Sequence, residues 1–198
     1  MSTRVGMVLL AAGASRRMEG DIPKQLLTYK GQSFLRHVTG ILCASVCSPI
    51  VVVLGANAER LLPELSDLPV HPIANEHWEE GMGASVRAGV LALQELDANL
   101  DALIVTLCDQ PLLTSEHLNA LVAVHAQGAK IVASEYGESF GPPVLFDCSL
   151  FDELATLSGD EGARRVIRRH ESDVVKIPFP AGAFDIDTAE DYETITER

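Results

Sequence analysis

The residues best suited to chemistry gather in one stretch near the start of the chain. Ala11-Ala12-Gly13-Ala14-Ser15 carries almost no side chains, so backbone N–H groups can close on a ligand and form a nest for an anion. Arg16 and Arg17 follow at once, and Lys24 lies seven residues beyond Arg17. Three cations around a small-residue turn describe a polyphosphate site better than they describe a core. The stretch is no Walker A loop, because the GxxxxGK(S/T) spacing is absent, and it lacks the GxGxxG of dinucleotide binders. Two acidic sites stand far away in sequence. Asp109, in Cys108-Asp109-Gln110-Pro111, follows a hydrophobic run and is a candidate ligand for Mg²⁺, which is usually held by one or two carboxylates plus substrate phosphates. Asp185 and Asp187 share one face of an extended segment, so either can point at a metal; Asp187 and Glu190 also fit a capping box.

Placing these groups together is the task of the surrounding elements. Val5–Ala12 is a continuous apolar run with no helical spacing of polar residues, the pattern of a strand buried on both faces. A signal peptide would have a similar look, but cleavage at Ala-Gly-Ala would discard the strand and half the loop. Further strands are expected at Ile50–Leu54, Val70–Ala74, Ala102–Leu107, Lys130–Ser134, Val144–Phe146 and Val174–Ile177. Helical periods fall at Ser33–Ser45, with Ser33 as cap, and at Ala84–Leu96, Thr114–Gln127, Phe151–Leu157, Gly162–His170 and Ala189–Thr196. Strands alternating with helices predict a single-domain (1–198) three-layer Rossmann-like α/β fold, its sheet mostly parallel and covered by helices on both faces. Right-handed crossovers then bring the loop after the first strand and Asp109 to the same carboxyl edge, where ligands of such sheets bind.

Composition narrows the function. The chain has 198 residues, 47% of them hydrophobic and 22% charged, as in an ordinary globular protein. A formal net charge of −13 argues against nonspecific binding to nucleic acid or an anionic membrane. No apolar run approaches the roughly 20 residues of a membrane span. Five of the fifteen basic residues (Arg4, Arg16, Arg17, Lys24, Lys30) lie in the first thirty positions, a local positive site on an acidic body. Cys43, Cys47, Cys108 and Cys148 match no zinc spacing and are expected to be buried thiols in a reducing cytoplasm.

LAAGASRRM followed by PKQLL resembles the signature of the nucleotidyltransferases that make nucleotide-activated sugars and molybdenum cofactors. Other segments extend the resemblance: Asn75, Trp78, Gly81, Met82 and Ser85 match N-x-x-W-x-x-GM-x-x-S, and CDQP, GDEGAR and DIDTAEDY match further family motifs. Ala189 stands where the last motif usually has Pro. The chain is most similar to the molybdenum-cofactor (molybdopterin) cytidylyltransferases of the MobA-like NTP transferase family, while its RRMEGDIPKQ spacing also resembles the isoprenoid cytidylyltransferases. The resemblance implies transfer of a cytidylyl group from CTP to molybdopterin with Mg²⁺, releasing pyrophosphate, in a cytoplasmic enzyme whose product passes to a client molybdoenzyme. It implies that Leu10 to Ser15, Asn75, Gly81 and Ser85 surround the nucleotide and that Arg17 and Lys24 meet the triphosphate. It further implies metal ligation by Asp109 and one of the late acids, here Asp187 in preference to Asp185, and acceptor binding by Arg164. Guanylyl or other nucleotidyl transfer, a sugar-phosphate or isoprenoid acceptor, and a non-catalytic delivery module are the alternatives.

Overall fold

The computed structural model describes residues 3–14, 22–186 and 188–196. The chain opens with strand β1 (Val5–Ala11), every residue of which is buried, as its unbroken apolar run requires. A small hairpin of β2 (Thr28–Tyr29) and β3 (Gln32–Ser33) leads into helix α1 (Phe34–Cys43), whose cap Ser33 accepts a hydrogen bond from the Arg36 N–H. In order there follow β4 (Ile50–Leu54), a short α2 (Ala58–Leu61), β5 (His71–Ala74), α3 (Met82–Leu96), β6 (Ala102–Leu107) and α4 (Ser115–His125). The chain closes with β7 (Ile131–Tyr136), β8 (Ser139–Asp147), α5 (Phe151–Leu154), α6 (Arg164–Arg169), β9 (Val174–Pro178) and α7 (Ala189–Thr196).

Seven strands form the main sheet in the order β5-β4-β1-β6-β8-β7-β9. Strands β5, β4, β1 and β6 are parallel neighbours, β7 pairs parallel with β9, and β8 runs antiparallel to both β6 and β7. The chain moves outward from β1 to β4 and β5, then returns to the other side of β1 as β6. That reversal is the topological switch at which α/β sheets bind ligands. The pleat splits β1 between two cores: Met7, Leu9 and Ala11 face the layer with α1 and α4, while Val8 and Leu10 face α3, α5 and α6. A third cluster, Tyr29, Phe34, Ile186 and Ile195, packs α7 against the small hairpin.

One expectation needs correction. The strand expected at Val144–Phe146 begins earlier, and β8 runs from Ser139 through Pro142 and Pro143. Gly137, at φ 62, turns β7 directly into β8, and a register shift at Ala133/Ser134 absorbs the prolines where the ladder is already interrupted. At the start of the last helix Thr188 and Asp191 form a capping box, while Asp187 of the expected Asp187–Glu190 pair lies outside the described residues. Thr188 Oγ1 accepts from the Asp191 N–H at 3.2 Å, and Asp191 Oδ2 accepts from the Thr188 N–H at 2.8 Å.

Candidate active site

Parallel pairing of β1 with β6 sets Leu10 opposite Leu107, so the small-residue loop and Asp109 leave the sheet side by side. The loop is shaped from behind by Gln25. This side chain is 2% exposed, and its Nε2 donates to the carbonyls of Gly13 at 2.9 Å and Ala11 at 3.3 Å. Those carbonyls are turned toward Gln25, and the small residues Ala11 to Ala14 border the adjoining cavity. The sequence reading took Lys24 from PKQLL and passed over Gln25, whose partners lie in the loop itself.

Lys24 and Asp109 meet beside this loop. The Lys24 ammonium donates to Asp109 Oδ2 at 2.9 Å and to the Ile186 carbonyl at 3.0 Å. The Ile186 N–H in turn donates to the Asp109 carbonyl at 3.0 Å, which stitches the late acidic segment to the end of β6. The other carboxylate oxygen, Asp109 Oδ1, is buried and has no hydrogen-bond partner among the described residues. An orphaned carboxylate oxygen carries a large desolvation cost, and a cation removes it. Among the described residues no group of three or more His, Cys, Asp or Glu could hold a metal by itself. That donor set fits Mg²⁺ or Mn²⁺ shared with substrate phosphates, and does not fit a closed protein cage. Arg17, Ser15 and Asp187 lie outside the described residues.

A cavity of about 520 Å³ spans these groups. Its walls include Leu10 to Ala14, Lys24, Gln25, Trp78, Gly81, Met82, Ser85 and Asp109. Asn75 is not among them: it is 6% exposed and stands behind Ser85, to whose Oγ it donates at 3.1 Å. Gly81 adopts φ 107, a conformation that suits glycine, and a Cβ there would overlap Asp160 and the Gly159 backbone.

A second cavity, about 640 Å³, adjoins the first and shares Leu10, Met82, Leu107 and Asp160 with it. It has an apolar floor from Val86, Val105 and Val144, aromatic walls from Tyr136 and Phe140, and Arg164, Arg168 and Asp185 among its charged residues. Burial, and next the charge of Asp185, push the Tyr136 phenol above its ordinary range, while Arg164 opposes them. Gln110, 2% exposed, helps join β6 to this cavity through Nε2 bonds to the carbonyls of Pro142 at 3.2 Å and Gly182 at 3.4 Å. Of the expected buried thiols, Cys47 and Cys108 are buried, Cys43 is partly so, and Cys148 is exposed at the turn after β8. Burial pushes the Cys108 thiol up to about 12, so it is inert beside Asp109.

Nicotine blue oxidoreductase of Paenarthrobacter nicotinovorans is 32% identical over 193 residues, covering 92% of each chain. Purine catabolism protein PucB of Bacillus subtilis is 32% identical over 200 residues, covering 95% of this chain and 94% of that one. Among solved structures, Rv0371c of Mycobacterium tuberculosis in complex with manganese superposes with a TM-score of 0.80 at 25% identity, over 98% of this chain and 99% of that one. The model of the MobA-like NTP transferase domain matches residues 7–174, from within β1 to the start of β9 and across both cavities, and the chain belongs to that nucleotidyltransferase family.

Proposed function

We propose that the protein transfers a cytidylyl group from CTP to molybdopterin, forming molybdopterin cytosine dinucleotide and releasing pyrophosphate. The observation that carries the reading is the Lys24–Asp109 pair with its orphaned carboxylate oxygen, set where a small-residue loop faces one cavity and a second cavity opens alongside. The first cavity suits a nucleoside triphosphate. The second suits an acceptor with a flat, partly apolar body, since it has aromatic walls, and its Arg164 could meet an anionic group among the carboxylates of Asp160, Glu161 and Asp185.

An acceptor phosphate oxygen would attack the α-phosphorus of CTP in line; the new P–O bond forms as the bond to the β-phosphate breaks. The attacking oxygen is already anionic at neutral pH, so no side chain has to remove a proton from it. The work left to the protein is alignment and charge neutralisation. Asp109 would hold Mg²⁺, with Asp187 as the proposed second ligand; the ion supplies Lewis-acid neutralisation of the phosphates. Lys24 contributes a fixed ammonium to the same cavity, and Arg17 is proposed to extend that positive surface. That Rv0371c was solved in complex with manganese supports the use of a divalent ion. A client molybdoenzyme is the proposed destination of the product.

Pyrophosphate release measured with CTP, GTP, ATP and UTP, each with and without molybdopterin, tests the reading. The expected result is release with CTP and molybdopterin together. Release with GTP instead would make the protein a guanylyltransferase, and silence with every pair would remove the activity.

A further inference from the structure

The two cavities share a wall, built where the loop after β5 meets the turn between α5 and α6. Met82 and Asp160 border both cavities; Trp78 and Gly81 line the first, and Glu161 and Arg164 the second. Along this seam the two segments touch backbone to backbone. The Gly83 N–H donates to the Gly159 carbonyl at 2.8 Å, and a Cβ on Gly83 would come within 2.7 Å of the Ser158 backbone. Gly162, at φ 55, leaves room for the Met82 side chain, which a Cβ there would meet at 3.0 Å. Glycines let the chains approach this closely, but they bring almost no apolar area to hold them together. Ser158, Gly159, Asp160 and Glu161 are all exposed, so the turn has little burial of its own. A seam of this kind needs a separate anchor.

Arg87 is placed to supply it. It stands on α3 one turn after Gly83, and it is not among the residues lining either cavity. Its Nη1 donates to the Leu157 carbonyl at 2.8 Å, and its Nη2 donates to Glu80 Oε2 at 3.0 Å. Leu157 enters the turn and Glu80 precedes Gly81, so one planar guanidinium holds both sides of the seam. The ion pair with Glu80 is open to water, its side chains 28% and 47% exposed, and alone it would add little. The bond to Leu157 is charge-assisted and made to a residue only 3% exposed, and it fixes the start of the turn. We propose that Arg87 is a positioning residue of the transfer reaction. By clasping the turn to the loop it fixes the wall between the two substrates, and with it the place of Arg164 relative to the nucleotide. A displacement of about 1 Å between reacting groups costs a transfer reaction ~10²-fold in rate, even when its cause lies far from the chemistry.

The inference rests on the transfer reading above, and two measurements keep the two apart. Hydrogen exchange of the whole protein without substrates reads the seam itself. In Arg87→Ala the Gly83 amide and the amides of residues 157–163 should exchange at least ~10-fold faster, while those of β1 and β6 keep their wild-type rates. Pyrophosphate release with CTP, Mg²⁺ and molybdopterin reads the function. Arg87→Ala should lower kcat by ~10²-fold, while calorimetric affinity for CTP alone falls by no more than ~3-fold. Arg87→Lys keeps the stem and the charge and so preserves the fold, yet one ammonium cannot span both acceptors. It should stay at least ~10-fold below wild type in kcat. Glu80→Gln should behave as wild type in both measurements, because its amide oxygen still accepts from Nη2. Faster exchange with kcat unchanged would make Arg87 a structural contact and overturn the assignment, as would wild-type exchange in both Arg87 variants. Wild type silent with CTP and every other nucleotide would instead remove the transfer reading, and the positioning role with it.

Discussion

At the scale of single residues, the site depends on which side chains have partners within the protein and which have groups to spare. Asp109 has one oxygen on Lys24 and one with no partner among the described residues, and the proposed metal role rests on the second. Asp109→Asn keeps the shape and can still accept from Lys24 through its amide oxygen. The two side chains are only 17% and 21% exposed, so it is this retained bond to Lys24 that keeps the variant folded. The expected result is an unchanged fold with Mn²⁺ binding lost and turnover depressed by ~10²-fold or more, read by electron paramagnetic resonance and pyrophosphate release. Full Mn²⁺ affinity in this variant would remove Asp109 from the metal site. Lys24→Ala should lower kcat as well as nucleotide affinity, by ~10²-fold in kcat/KM, because a charge aimed at the departing pyrophosphate acts most strongly in the transition state. An effect on KM alone would make Lys24 a uniform binding contact. Both residues were legible in the sequence, since each follows a strand and each sits in a motif of unusual composition. Gln25 and Asn75 were not legible in their actual roles. Gln25 acts on the carbonyls of the loop and Asn75 on a serine ten residues later, and neither geometry leaves a trace in spacing.

At the scale of elements, alternation of apolar runs and helical periods was enough to locate the parallel strands and the helices that cover them. Segments buried on both faces leave little ambiguity, and β1, β4 and β6 were read to within a residue of their observed bounds. Where a strand broke local rules the reading failed. Pro142 and Pro143 lie within β8, tolerated because the shifted register already disturbs the pairing with β7, and a register shift is a property of two strands that neither one displays alone. Helix caps fall between these cases, because several acceptors compete at each start. Ser33 was placed correctly, and at the final helix Thr188 and Asp191 form a box that the sequence reading did not single out. Ser33 Oγ accepts from the Arg36 N–H at 3.2 Å and donates to Glu64 at 2.6 Å, on the face of α1 away from both cavities. Ser33→Ala should therefore cost about 1 kcal/mol, a fall in Tm of roughly 2–4 °C for a chain of this size. Calorimetric affinity for nucleotide should be unchanged; a loss of affinity would show that the start of α1 is coupled to the cavity.

At the scale of the whole molecule, the layers must be held together, and one partly buried histidine makes that attachment sensitive to pH. His117, on α4, stacks on Phe179 with ring centroids 4.2 Å apart, and its Nε2 lies 2.7 Å from Ser134 Oγ on β7. The Ser134 hydroxyl donates its proton to the Pro143 carbonyl on β8, also at 2.7 Å, so the imidazole must be the donor toward Ser134. The neutral ring already makes that bond, and protonation adds a charge in a desolvated place without gaining an acceptor there. Burial accordingly pulls the His117 pKa down to about 4. In the unfolded chain the same ring titrates near its ordinary value of about 6.5. Between those values the unfolded state binds the extra proton and the native state does not, so stability rises with pH across the window and is lost as pH falls through it. The body carries a formal charge of −13, and its carboxylates begin to titrate at the lower end of the same range. A single melting curve therefore mixes the two effects. His117→Gln separates them, because an amide can donate to Ser134 but does not titrate. Melting temperatures of wild type and variant, measured from pH 7.5 to pH 4.5, should draw together as pH falls, wild type losing more than the variant below about pH 6.5. Parallel curves would mean that His117 carries its proton in the native state, and that the link from α4 to the sheet is an ionised one.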